Sequence, residues 1–200
     1  SIGLVGSEMC IRDRNKDVFD YDSLYKFSID HREEFWKSLI AFYDIKFSGS
    51  LDPVYDDLGF DNYSWFKNAQ LNFAENLLRS GLDSNESLIS RLENGKRESL
   101  TYGELKSTVN GLSRKLSSYI SKGDVLACYM PNISETVISM LGVTSLGGVF
   151  TSTSCDFGVE GVTDRFGQSK PKVLVTVAGY EYNGKYFCLL YTSPSPRDRS

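Results

Sequence analysis

Few places in the chain carry residue types that could do chemistry. Gly179-Tyr180-Glu181-Tyr182-Asn183-Gly184-Lys185 is a glycine-bounded turn ending in a cation. It reads either as a structural hairpin or as a phosphate contact made by Lys185 and the nearby backbone N–H groups of Tyr182, Asn183 and Gly184. Gly147-Gly148 followed by Thr151-Ser152-Thr153-Ser154 has the composition of a phosphate cradle, but a helix end running into a strand is the simpler account. Asp156, Glu160 and Asp164 beside Arg165 have the charges for acid–base work, yet their spacing suits capping and decoration of a helix over 158–168. His31 is the only histidine, and at a helix start a solvated polar role fits it better than catalysis. No GxxxxGK[ST], GxSxG, HExxH or GxGxxG segment occurs, so none of the sites built on those patterns is expected.

The elements that position these residues follow from periodicity. Val125 to Met130 is an apolar run of the kind covered on both faces of a sheet. Asn132 and Glu135 have capping-box spacing ahead of a helix that is apolar nearly all round, from Val137 to Leu146. Strands over Val149–Thr151 and Val173–Val177 flank the 158–168 helix. This alternation predicts parallel strands with crossover helices, an α/β fold class. Upstream, Leu105, Val109, Leu112, Leu116, Tyr119 and Ile120 line one helical stripe, with Gly123 placed for a left-handed C-cap. Ser87–Leu92 and Arg97–Thr101 flank Asn94-Gly95 as a hairpin.

Further upstream, Leu71–Arg79 reads as a helix stopped near Gly81. Residues 45–70 read as irregular and aromatic, a segment laid over a partner domain or, more sharply, a ligand cage. A helix is expected over Asp30–Asp44, capped by Ser28, Ile29 and Asp30, with a short amphipathic stretch before it over 22–27. The N-terminal part is thus a helical and irregular extension ahead of the parallel unit.

The two ends read as foreign. Back-translated with one choice of codons, Leu4–Asp13 and Cys188–Arg197 are reverse complements shifted by one base, and that DNA word resembles the adapter of transposon-based sequencing libraries. Residues 1–14 and 188–200 are therefore expected to be adapter-derived, and 15–187 an internal fragment with its true N-terminus absent. Within 188–200, Arg197 and Arg199 outnumber Asp198, while 1–14 is neutral, so removal takes the formal charge from −4 to −5. A mildly acidic chain without a basic block argues against nucleic acid or an anionic membrane as partner. No apolar run of membrane-spanning length occurs. Only Cys128 and Cys155 of the four cysteines lie inside 15–187, which predicts neither a disulfide framework nor a zinc site and makes the cytoplasm the default.

Several segments, in order, carry a family resemblance. Tyr63-Ser64-Trp65-Phe66 through Ala69-Gln70-Leu71-Asn72-Phe73-Ala74-Glu75-Asn76-Leu77-Leu78 resembles the N-terminal signature of acyl–CoA synthetases of the acetate and acetoacetate type. Leu100-Thr101-Tyr102-Gly103-Glu104-Leu105 and Met130-Pro131-Asn132-Ile133-Ser134-Glu135 are similar to segments common to acyl-adenylate-forming enzymes. Asp156-Phe157-Gly158, Asp164-Arg165-Phe166-Gly167-Gln168, Pro171-Lys172 and Tyr180–Lys185 resemble the acetoacetate–CoA ligase family more than the acetate enzymes.

The resemblance implies an acetyl-CoA-synthetase-type N-terminal region over 15–85 and part of an AMP-binding domain over 86–187. It implies a parent enzyme that uses ATP, CoA and Mg2+ on acetoacetate as its small-molecule substrate. Acetate or propionate is the alternative within the class, and a non-enzymatic α/β binding module the alternative outside it. The family's phosphate loop, acidic nucleotide motifs and catalytic lysine fall beyond residue 187, so no catalytic residue is expected here and the piece should be inactive without the remainder of its own chain. By position, a family loop that touches the nucleotide part of CoA falls on Tyr182, Asn183, Gly184 and Lys185; its arginines are missing, and Lys185 is the cation offered.

Overall fold

A computed structural model describes residues 20–57, 59, 62–79 and 81–189. The adapter reading of residues 1–14 and of 190–200 lies outside these residues, whereas Cys188 and Leu189 lie within them. The chain divides into two units, one ending at Leu71 and the other beginning at Asn72.

In the first unit, helix α1 (Tyr21–Asp30) begins at a reciprocal capping box. Ser23 N–H donates to Asp20 Oδ1 at 2.9 Å, and Asp20 N–H donates to Ser23 Oγ at 3.0 Å. Leu24 and Phe27 are its buried residues. The helix absorbs Ser28, Ile29 and Asp30, expected as caps of the next one, because Ser28 Oγ spends its proton on the Tyr25 carbonyl inside α1. Helix α2 (Arg32–Phe42) starts instead from His31, which makes no side-chain cap bond and stacks on Phe27.

The segment expected to be irregular carries four short strands, β1 (Ser48–Gly49), β2 (Tyr55–Asp57), β3 (Tyr63–Trp65) and β4 (Ala69–Gln70). They pair antiparallel as β1 with β4 and β2 with β3. Its aromatics face one another: the Trp65 ring lies 5.6 Å from Trp36 and 5.5 Å from Tyr55.

The second unit opens with α3 (Phe73–Leu78), then β5 (Glu86–Arg91) and β6 (Arg97–Thr101), the expected hairpin with Gly95 at φ 81°. Helix α4 (Tyr102–Leu116) follows directly. Thr101 accepts from the Glu104 N–H, and the Glu104 carboxylate accepts from the Thr101 N–H, so the Thr-Tyr-Gly-Glu-Leu segment is a capping box followed by a buried leucine. Leu105, Val109, Leu116 and Ile120 are buried as the stripe predicts, but Tyr119 is 70% exposed, because α4 ends at Leu116 and Tyr119 leaves the helical register. Gly123 is not the C-cap, a place taken by Ser117; its N–H donates to the Gly147 carbonyl ahead of the parallel sheet.

That sheet has the order β8-β7-β9, all parallel. Its strands are β7 (Val125–Tyr129), β8 (Val149–Thr153) and β9 (Val173–Thr176). The crossovers are α5 (Ser134–Ser145) and α6 (Val159–Ser169). Central β7 buries Leu126, Ala127 and Cys128 completely, as expected of a strand covered on both faces. Leu126, Cys128 and Met130 join Leu116, Ile120 and Val143 in one cluster, while Ala74, Leu105, Val109, Ile138 and Leu141 form a second between α3, α4 and α5.

Two caps differ from expectation. Asn132 stands one residue too early: the N-cap of α5 is Ile133, which makes no side-chain bond, and Thr136 Oγ1 donates to the Pro131 carbonyl at 2.8 Å. Helix α6 is capped by Gly158 without a side-chain bond, so Asp156 does not cap it. The chain then forms a last hairpin, β10 (Gly179–Tyr182) with β11 (Lys185–Cys188).

Candidate functional site

Ligands of open α/β sheets sit outside the carboxyl ends of the strands. Here Pro131–Ile133 follow β7 and Val177 follows β9, and together they floor a cavity of about 580 Å³. One wall is the tip of the β5–β6 hairpin, Arg91 to Asn94. The other is the β10–β11 hairpin, which contributes Tyr180, Glu181, Tyr182 and Tyr186.

The β10–β11 turn has two residues, Asn183 at φ 50° and Gly184 at φ 68°. Both angles are left-handed, as the tight primed hairpin turn requires, and Asn-Gly is the pair that tolerates them. The structural-hairpin reading of Gly179–Lys185 therefore holds. Of the four residues singled out in this loop, Tyr182 lines the cavity, Asn183 and Gly184 make the turn, and Lys185 is the cross-strand partner of Tyr182. Lys185 is exposed and has no ion pair among the described residues.

Two bonds tie this hairpin to the other. Asn183 N–H donates to Glu93 Oε2 at 2.6 Å, and Asn94 Nδ2 donates to Glu181 Oε2 at 3.3 Å. At its base the Tyr180 hydroxyl donates to the Cys155 carbonyl at 3.3 Å, beside Tyr129, whose hydroxyl reaches the carbonyls of Cys155 and Phe157 at 3.0 and 2.9 Å. Burial pushes both phenols above their ordinary range. Sequence reasoning missed Glu93, Asn94 and Tyr129 as parts of this site. Glu93-Asn94 was legible as a turn, but nothing local announces a partner 90 residues away.

The other candidates resolve into structure. Gly147 and Gly148 end α5 and lead into β8, and Thr151–Thr153 are the strand itself. Thr153 Oγ1 is buried without a hydrogen-bond partner. The Asp156 carboxyl is held below its usual range by hydrogen bonds from Ser154 and its own backbone. Asp164 accepts from Gln168 at 3.2 Å, and the Arg165 guanidinium lies 4.3 Å from the Phe157 ring. Among the described residues no group of three or more His, Cys, Asp or Glu side chains is placed to hold a metal ion, and no helix is long and apolar enough to cross a membrane.

Three parallel strands with crossover helices and a crevice at their carboxyl ends place the chain among α/β proteins. The chain belongs to the AMP-binding enzyme family, whose family model matches residues 83–194. A second family model, the acetyl-coenzyme A synthetase N-terminus, matches residues 21–77. The acetoacetyl-CoA synthetase of Xenopus tropicalis is 39% identical over 177 residues, covering 86% of this chain and 26% of that protein. The acetoacetyl-coenzyme A synthetase of Rhizobium meliloti is 38% identical over 167 residues, covering 83% of this chain and 26% of that protein. The solved structure of the acetoacetyl-CoA synthetase from Streptomyces lividans superposes with a TM-score of 0.82 at 35% identity, over 85% of this chain and 27% of that one. The chain thus spans about a quarter of the length of the relatives it matches.

Proposed function

We propose that the chain is the amino-terminal segment of an ATP-dependent acid–CoA ligase acting on acetoacetate. In that reaction a carboxylate oxygen attacks the α-phosphorus of ATP and pyrophosphate leaves. The CoA thiol then attacks the acyl carbon and AMP leaves, giving acetoacetyl-CoA. The observation that carries the reading is the superposition on the Streptomyces lividans enzyme over most of the chain. Residues 15–85 form the N-terminal region and 86–187 the opening part of the AMP-binding domain. No catalytic side chain is assigned to either, and none is assigned to Mg2+, which offsets phosphate charge in such reactions.

The chain's own contribution is a contact with the nucleotide part of CoA at the β10–β11 hairpin. The exposed Tyr182 ring offers a stacking face beside the cavity, and Lys185 offers a cation to a phosphate. The reading is tested by a chimera in which this chain replaces the corresponding segment of the Streptomyces lividans enzyme. Acetoacetate-dependent ATP–pyrophosphate exchange is expected from the chimera and none from the chain alone. A folded chimera without acetoacetate-dependent exchange would overturn the reading.

A further inference from the structure

The turn assigned to the CoA nucleotide already holds an anion. The Asn183 N–H, which such a turn presents to a phosphate, donates at 2.6 Å to the Glu93 carboxylate from the other hairpin. A bond this short to a charged acceptor is of the strong, charge-assisted kind. Outside its own two-stranded pairing, the β10–β11 hairpin is tied to the rest of the unit mainly at this tip and through the Tyr180 hydroxyl.

We infer that Glu93 is an internal stand-in for phosphate, which a phosphate-bearing nucleotide displaces from Asn183 before it binds, so that the contact between the two hairpin tips sets nucleotide affinity. The inference rests on the proposed CoA contact and names its regulation. One N–H cannot serve two anions at full strength. The charge-assisted bond to be displaced is roughly twice as strong as one to a neutral acceptor, a difference of about fivefold in affinity. Nothing in the second bond, from Asn94 to Glu181, covers a backbone donor of the turn, so Glu181 supplies the same charge without the same occupancy.

The test titrates adenosine 3′,5′-bisphosphate, the nucleotide portion of CoA, and phosphate-free adenosine into the whole chain by calorimetry. Glu93 is exposed, so Glu93→Gln is expected to fold as the parent does. Glu93→Gln, which leaves only a neutral acceptor for the Asn183 N–H, should bind the bisphosphate about fivefold more tightly, Glu181→Gln should bind it much as the parent does, and adenosine should distinguish none of the three. Equal gains in both variants would reduce the effect to net charge and overturn the inference. Equal bisphosphate binding by all three proteins would overturn it while leaving the CoA contact standing. Absence of bisphosphate binding in all three would overturn the contact and the inference together.

Discussion

The side-chain amide of Asn72 donates to the Thr144 carbonyl at 2.9 Å and to that of Ser145 at 3.2 Å, while its oxygen accepts from Glu75 N–H at 3.0 Å. One side chain thereby caps the start of α3 and the end of α5, two orphan ends that otherwise need separate partners. Asn72→Ala should cost about 2 kcal/mol, the sum of a lost N-cap and unmade bonds to carbonyls. Asn72→Asp separates the two roles. Aspartate caps as well as asparagine does, but it cannot donate and sets a negative charge at the negative end of α5. It should therefore be no better than alanine in urea denaturation; stability restored to the parent level would refute the double cap.

Gly148, between α5 and β8, sits where the chain packs too closely for a side chain. A Cβ there would lie 2.6 Å from Val143 Cγ2 and 3.1 Å from the Asp124 carbonyl. Gly148→Ala should destabilise the second unit by about 1–3 kcal/mol through overpacking. Thermal unfolding followed by circular dichroism measures it, and an unchanged midpoint would count against the packing described.

Lys172 Nζ lies 2.7 Å from Asp124 Oδ2, which also accepts from Ser121 N–H at 2.8 Å, joining the starts of β7 and β9. The Lys172 ammonium first, and the Ser121 N–H second, hold the Asp124 carboxyl below its ordinary value of 3.8. The folded state therefore binds this proton less readily than the unfolded one. The stabilisation is complete above the ordinary carboxylate range and is lost as pH falls through the lowered folded value. Asp124→Asn should lower stability at neutral pH and shrink its deficit toward zero in acid. A deficit independent of pH would show that the pair contributes through packing alone.

Most of the α/β unit was legible because its signals are local. The apolar run of β7, the Thr101–Glu104 box and the Asn94-Gly95 turn each fix their own geometry. The readings that failed were those in which a residue had a competing partner. Ser28 turned to Tyr25, so the short stretch expected over 22–27 became a helix reaching Asp30, and the helix expected over 30–44 begins at Arg32. Asn132 fell one residue short of the N-cap of α5. The aromatic stretch of 45–70 became paired strands because Trp65, Tyr55 and Trp36 meet only in three dimensions. The candidate site was half legible for the same reason: Tyr182–Lys185 is a contiguous loop, whereas Glu93 belongs to it only through folding.

Burial pushes the Cys128 thiol up to about 11, with a Ser139 hydrogen bond pulling partly back. Burial likewise raises Cys155, whereas Cys188 is exposed. Since the thiolate is the reactive species, native-state alkylation with peptide mapping should label Cys188 well before Cys128 and Cys155. Early labelling of Cys128 would contradict its complete burial on β7.

Strand β7 is matched to β8 on one side and to β9 on the other at Leu126, Ala127, Cys128 and Tyr129. The backbone there has no face left for solvent short of collective opening. Deuterium should enter those amides last of all, making them a clock for the wholesale unfolding of the second unit, against which the exchange of every peripheral hairpin can be timed.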